Sequence, residues 1–394
     1  MKYKLSEIFE KPISGEWGNE LEEGKYGAKV IRTTNFTNMG RLNLNDIVER
    51  DIDVEKYKNK LLKLGDIIIE KSGGSPNQPV GRVVIFEENT SEKYFCNNFT
   101  SILRPKNIVN AKYSLYLLKD LYNKKRVLKY QNKTTGIINL KLNDYLNNTE
   151  IMIPSIEEQI KISTILDKSQ ELIDKRKEQI EALDELVKSK FIEMFGDVFL
   201  NTKNFEMKQI KDIVTVVKGI TYKPEQVNDE GTIVLRSSNI KGSKFDLNDI
   251  VRVNKKIDEK FLVKVNDILM CNRNGSERLV GKVAKIPEYN EPMTFGTFMT
   301  IVRSPYHNYL FSFFQTEAFR RQVKMQTSVA INQISIPLLE SVKVPLPPME
   351  LQNQFADFVK KTDKLKFEME KSLKELEDNF NSLMQKAFKG ELFN

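Results

Sequence analysis

The sequence predicts an α+β protein with pseudo-two-fold symmetry: two duplicated α/β units, separated by two long α-helices that pair as an antiparallel coiled coil. Three observations predict it. The same text is written twice along the chain, short β-branched runs bounded by turn residues fill two segments, and a heptad-like apolar repeat fills two others. A length of 394 residues suits two or three domains.

The duplication is the first of these. VIRTTNF at 30–36 answers VLRSSNI at 234–240, and LNDIV occurs at 44–48 and again at 247–251. LKLGDIII (62–69) pairs with VKVNDILM (263–270), VGRVV (80–84) with VGKVA (280–284), and KLSEI (4–8) with QIKDI (209–213). Late in each unit the offset settles at 193, so that Asn139 answers Asn332, Pro154 answers Pro347, Gln159 answers Gln352 and Phe195 answers Phe388. A constant offset across a helix matters, because one inserted residue rotates a face by about 100°.

Each unit has a mixed part and a helical part. In 1–150, GDIIIE, GRVVIF and TSILRP read as strands between Gly, Pro and Asn clusters, and 113–130 reads as an amphipathic helix. Its counterpart in 206–345 is 309–325. The helical parts are 151–205 and 346–394.

A 4-3 walk through Ile162, Leu166, Ser169, Ile173, Arg176, Ile180, Leu183, Val187, Lys190 and Met194 meets seven apolar residues. The matching walk through Phe355, Val359, Thr362, Lys366, Met369, Leu373, Leu376, Phe380, Leu383 and Ala387 meets eight. Pro154 and Pro347 suit helix entrances, and Gly196 and Gly390 suit helix stops. Some 40 residues make a rod of roughly 60 Å. A helix leaving the first unit and another starting at the second must run antiparallel if they pack together.

Charge is distributed unevenly. The chain carries +8 net, made of +6 in 1–150, −3 in 151–205, +6 in 206–345 and −1 in 346–394. Two basic globules with acidic rods suit a long polyanion, and duplex DNA above others. Cys96 and Cys271 are too far apart for a metal spacing and read as buried thiols. The N-terminus has no apolar signal region and no run reaches a membrane span, so a cytoplasmic protein is expected.

Catalytic signals are missing from the text. One histidine, His307, excludes most His-based metal sites and Ser/His triads. GGSPNQPVGR at 73–82 lacks the lysine and hydroxyl of a phosphate loop. The second acid and the lysine of GDIIIEK (65–71) are absent from NDILMCN (266–272), so Asp66 and Asp267 are read as serving the turn before a strand. The chain reads as a binding protein.

At this point the residues carry a resemblance. Two variable units, each ended by text such as IMIPSIEEQI (151–160) or VPLPPMELQN (344–353) and a long helix, resemble the specificity (HsdS-type) subunit of a type I restriction–modification system. The second copy departs slightly, with Pro348 for Ser155 and Leu351 for Glu158.

The resemblance implies that 1–150 and 206–345 are target recognition domains, each reading one half of a bipartite double-stranded DNA sequence. The helical regions set the gap and dock two modification (methyltransferase) subunits, which restriction and translocation subunits join. It implies no catalysis and no cofactor on this chain: S-adenosylmethionine, ATP and Mg are expected on partner subunits. The competing reading is a cytoplasmic coiled-coil scaffold without sequence-specific DNA binding, which steep salt dependence of duplex binding distinguishes.

Base edges are read mostly by Arg, Lys, Asn and Gln, with Ser and Thr on bases or phosphates. In the first unit the candidates are Lys71, Ser72, Ser75, Asn77, Gln78 and Arg82, then Lys133, Thr134 and Thr135. Their counterparts are Asn272, Arg273, Asn274, Ser276 and Arg278, then Gln326, Thr327 and Ser328. The turns RTTN (32–35) and RSSN (236–239), with Arg32 and Arg236, either contact phosphates in both units or close the same turn.

Overall fold

A computed structural model of the chain describes residues 1–75, 78–134, 137–325 and 332–393. It divides into two compact units, Met1–Glu178 with Glu370–Asn394, and Gln179–Met369. Among the described residues no helix is long and apolar enough to cross a membrane.

The first unit is built around the strand Ile67–Glu70, antiparallel to Val83–Ile85 on one side and to Thr100–Leu103 on the other, with Ile13–Ser14 at the edge. All four residues of IIIE are buried, because both faces of the sheet are covered. Ile67 and Ile69 point into a core shared with Tyr113 and Leu117, while Ile68 points into a second core with Ile31, Val84 and Ile102. A second sheet pairs Ala28–Ile31 antiparallel with Val48–Arg50 and parallel with Tyr94–Cys96. A third joins Gln131–Thr134, Ile137–Leu140 and Ser72–Gly73.

The second unit repeats this plan. Ile268–Cys271 lies between Val283–Lys285 and Met299–Arg303, with Thr215–Lys218 at the edge. Ile268 and Met270 face one core, Leu269 and Cys271 the other. Thr232–Leu235 pairs parallel with Met293–Phe295, as its counterpart does in the first unit. Cys96 and Cys271 are free and buried, and burial pushes the Cys96 thiol up to about 11.

Helix α1 spans Ala111–Asn123, shorter than the sequence predicts for 113–130. Asn110 caps it by accepting from Tyr113 N–H at 3.0 Å. It stops because Lys125 turns left-handed (φ +58°), which lets the short 3-10 turn Arg126–Tyr130 carry Val127 and Tyr130 back into the core. The predicted helix 309–325 is likewise two pieces, His307–Phe313 and Glu317–Met325. Thr316 accepts from Phe319 N–H and starts the second piece, so Phe313, Phe314 and Phe319 all reach one core.

Helix α2, Ile156–Phe195, and helix α3, Met349–Lys389, are the two long helices of the sequence reading. Ser155 and Glu158 form a reciprocal cap at the α2 entrance, with N–H to side-chain distances of 3.2 and 3.3 Å. Gly196 and Gly390 follow the two helices with φ of +70° and +78°, a conformation glycine adopts without steric cost.

Within the first unit, Ile162, Leu166 and Ile173 of α2 share a core with Phe380, Met384 and Ala387 of α3, and Lys177 pairs with Glu377 at 2.9 Å. Within the second, Phe191 and Phe195 meet the Phe355 ring at 5.5 and 5.3 Å, and Lys366 pairs with Asp184. Early α2 thus meets late α3 and late α2 meets early α3: the pairing is antiparallel in both units.

The seam departs from the predicted walk at one end, burying Phe191 and Phe195 where the sequence reading has Lys190 and Met194. A helix of 3.6 residues per turn drifts about 20° per heptad from a strict seven-residue repeat, so the buried line shifts by one position over 40 residues.

Candidate DNA-reading surface

The structure brings together the two segments of the first unit that the sequence singles out. Ser72–Gly73 pairs with Ile137–Leu140 in the register Asn139↔Ser72 and Ile138↔Gly73, and Ser72 Oγ donates to Asn139 Oδ1 at 2.6 Å. The loop after Gly73 therefore shares a sheet with the hairpin of Lys133 and Thr134. Ser75 and Gln78 close that loop with reciprocal backbone hydrogen bonds of 2.8 and 3.1 Å, and both are exposed. Asn77 and Thr135 lie outside the described residues.

In the second unit the same juxtaposition recurs. Arg273 bridges Gln333, and Asn274 N–H donates to Asn332 O at 3.3 Å. Asn272 is buried and holds Ile334 N–H at 2.7 Å through its carbonyl. Arg273, Ser276 and Arg278 are exposed, and the Arg273 guanidinium lies 5.3 Å from the centre of the Phe298 ring. Gln326, Thr327 and Ser328 lie outside the described residues.

The turn after the strand Ala28–Ile31 is closed from within. Asn35 is buried; its Oδ1 accepts from Arg32 N–H at 2.8 Å, and its Nδ2 donates to Asn43 O and Asp46 O. Asn239 does the same with Arg236, Asp246 and Asp249. RTTN and RSSN therefore close the same turn in both units. The Arg32 guanidinium pairs with Asp46 at 3.0 Å and that of Arg236 with Asp249 at 2.7 Å. Each turn abuts the candidate loop of its unit, since Arg82 Nη2 donates to Thr33 O and Asn274 Nδ2 to Ser237 Oγ, both at 3.4 Å.

Asp66 and Asp267 also match their reading. Asp66 is buried, receives Arg104 Nε and Nη2 at 2.8 Å each, and accepts Lys63 N–H at 2.8 Å. Asp267 holds Arg303 Nε and Nη2 at 2.8 and 2.6 Å and Lys264 N–H at 2.7 Å. Each carboxylate bolts the turn before a central strand to the neighbouring strand, and the hydrogen bonds raise both guanidinium pKa values.

Two candidates of the first unit are engaged within the protein. Arg82 makes a bidentate pair with the buried Glu70 at 2.9 and 3.0 Å, which raises its pKa. Lys71 is half-buried and donates to Ser14 Oγ at 2.5 Å, and burial lowers its pKa. Glu70 and Arg82 correspond to Cys271 and Lys282, so this brace belongs to the first unit; Lys282 instead donates to Ile240 O at 3.1 Å.

Sequence reasoning missed Ser14, Phe99 and Phe298 at this surface. The last two carried a signal: NFTS at 98–101 and TFMT at 297–300 occupy equivalent places before equivalent strands. The arrangement can do two things chemically: it presents exposed donors and acceptors on a braced loop, and it varies them without disturbing the frame.

The family model for the type I restriction modification DNA specificity domain matches residues 1–182 and 202–378. The chain is 27% identical over 157 residues to the type I restriction enzyme EcoKI specificity subunit of Escherichia coli K12, a match covering 38% of this chain and 34% of that one. The matched segment spans about a third of that relative's length. It is 24% identical over 302 residues to the MjaVIII specificity subunit of Methanocaldococcus jannaschii, covering 71% of this chain and 70% of the other. Among solved structures, a chain from work on complex assembly and conformational transition of the type I R-M system superposes with a TM-score of 0.61 at 14% identity, covering 100% of this chain and 98% of that one. At that identity the likeness speaks for the fold.

Proposed function

Because the chain belongs to the type I restriction–modification DNA specificity family, we propose that it is the sequence-specificity subunit of such a system. Each unit reads one half of a bipartite double-stranded DNA target, and the paired helices α2 and α3 set the gap and dock two modification subunits. Methylation and cleavage are the work of partner polypeptides, which bring S-adenosylmethionine, ATP and Mg; this chain acts in the cytoplasm as their non-catalytic guide.

One observation carries the reading. The same backbone frame, bolted by Asp66–Arg104 and Asp267–Arg303, displays different side chains in the two units: KSGGSPNQ at 71–78 and NRNGSER at 272–278. A constant frame with variable exposed polar tips is what recognition of two different half-sites requires. Exposed Ser75 and Gln78 in the first unit, and exposed Arg273, Ser276 and Arg278 in the second, are the readers of base edges. Arg32, Arg82 and Arg236 brace the loops through their ion pairs.

Co-expression with the modification subunit, followed by genome-wide mapping of methylated adenines, tests the proposal. The expected result is a bipartite motif with a fixed gap. A scaffold instead gives no motif and binds random duplex without a steep salt slope.

A further inference from the structure

Both units carry an exposed aromatic ring that the loops above do not account for. Phe99 is 48% and Phe298 56% exposed. They are structurally equivalent. One follows the strand Tyr94–Cys96 and precedes Thr100–Leu103; the other follows Met293–Phe295 and precedes Met299–Arg303. Each stands third in a four-residue turn, closed by Thr100 N–H to Asn97 O at 3.0 Å or Met299 N–H to Gly296 O at 2.8 Å.

The backbone of this residue belongs to the reading loop. Phe99 O accepts from Lys71 and Ser72 N–H at 2.9 and 3.1 Å, and Phe298 O from Asn272 and Arg273 N–H at 3.0 and 3.3 Å. Any residue supplies that carbonyl, so the loop contact does not explain the ring. Turn tips favour Asn, Asp, Gly and Ser. Neither ring is a member of a buried cluster among the described residues. An apolar ring held in water beside the candidate loop, at the same place in both units, calls for a partner with an apolar face.

The loops around the ring differ between the units while the ring is the same. A group that discriminates bases should differ with the half-site; a group whose contact is common to every base need not. Base stacking is such a contact, because every base has a π-face. The Arg273 guanidinium 5.3 Å from the Phe298 ring centre places a cation beside that face.

Resting on the DNA-reading function proposed above, we propose that Phe99 and Phe298 are wedges. Each enters the bound duplex at one base step of its half-site and stacks there without regard to sequence, fixing the register in which the neighbouring loop reads.

The test uses the full-length chain co-expressed with its modification subunit and a duplex that the wild-type complex selects from a randomised 40-bp pool, carrying 2-aminopurine at successive half-site positions. With wild type, fluorescence rises at one step in each half-site. Phe99→Ala abolishes the rise in its own half-site only and weakens binding roughly 5- to 150-fold. The slope of log affinity against log salt stays unchanged, because no phosphate contact is lost. Phe99→Trp restores both signals, and Phe298→Ala acts in the same way on the other half-site. Unchanged affinity and fluorescence in both alanine variants, with wild type binding normally, overturn the wedge and leave the reading function standing. A wild-type complex that selects no duplex overturns both.

Discussion

Replacing Gln159 with leucine removes the side chain that ties the start of α2 to the cap of α1. Gln159 is 1% exposed. Its Oε1 accepts from Asn110 N–H at 2.8 Å, and its Nε2 donates to Ile108 O and Pro154 O, each at 3.1 Å. Asn110 is in turn the residue that caps α1. Three hydrogen bonds at about 1 kcal/mol net each give a loss of about 3 kcal/mol, since leucine keeps the volume but satisfies none of the three groups. The equivalent Gln352 is as deeply buried at 2%, yet among the described residues its side chain makes one hydrogen bond, to Pro347 O at 2.7 Å. Gln352→Leu therefore costs about 1 kcal/mol.

For units of this size about 2–4 °C of melting temperature accompanies each kcal/mol. Calorimetry is expected to show Gln159→Leu lowering its transition by roughly 6–12 °C and Gln352→Leu by roughly 2–4 °C. Hydrogen exchange at residues 108–113 assigns the larger loss to the first unit. Equal shifts in the two variants, or a shift under about 2 °C for Gln159→Leu, refute the account of this motif as a hydrogen-bonded clamp.

Three further outcomes are expected. Arg273→Ala removes an exposed guanidinium that makes no ion pair among the described residues, so discrimination falls by about 1–3 kcal/mol at one position of one half-site; methylome mapping reads it, and a uniform loss over all sequences assigns Arg273 to phosphate instead. Asp66→Ala strands Arg104, whose side chain is 15% exposed, and destabilises the first unit by about 3 kcal/mol in denaturant unfolding; a change below about 1 kcal/mol contradicts the role of the pair as a bolt. Burial, with Lys285 nearby, lowers the His307 pKa below its ordinary value of 6.5, so the unfolded chain binds that proton more tightly. The stabilisation is complete above that value and declines as pH falls through it toward the folded pKa. His307 is the one histidine of the chain, so His307→Gln should flatten the fall of stability that begins below the ordinary value of 6.5, and an unaltered slope assigns it elsewhere.

The duplication and the helix seam were legible because both are periodic along the text. The reading of Asp66 and Asp267 was legible too, because comparing the copies separated what recurs from what does not. Long-range pairing was not legible. Nothing local says that Ile13 pairs with Ile102, or that Glu70 takes up the Arg82 guanidinium from just before the adjacent strand. The helix breaks at Lys125 and Thr316 were hidden because the flanking residues are good helix formers, and burial of Val127 and Phe319 outweighed their local preference. Phe99 was passed over because an aromatic residue beside a strand ordinarily signals core, and exposure is a tertiary property.

The proposed spacer role makes a stronger demand than length alone. Lys177–Glu377 and Asp184–Lys366 join the helices in opposite chain directions, so an insertion in α2 must be matched in α3 or the seam is lost. Four residues placed in each helix, between 177 and 184 and between 366 and 377, add about 6 Å and rotate the far end by about 40°. Two base pairs of B-DNA add about 7 Å and rotate the far half-site by about 70° in the same sense. The mismatch of roughly 30° is small enough for duplex twist to absorb. Seven residues in each helix add about 10 Å, close to three base pairs, but return the helix face to within about 20° of its start. The DNA has meanwhile turned by roughly 100°, so the second unit no longer faces its half-site. The four-residue variant should therefore methylate a motif whose gap is longer by two base pairs, and the seven-residue variant, though better packed as a coiled coil, should methylate none. Methylome sequencing of both variants decides it: an unchanged gap in the first, or a gap three base pairs longer in the second, removes the helices as a combined measure of distance and angle.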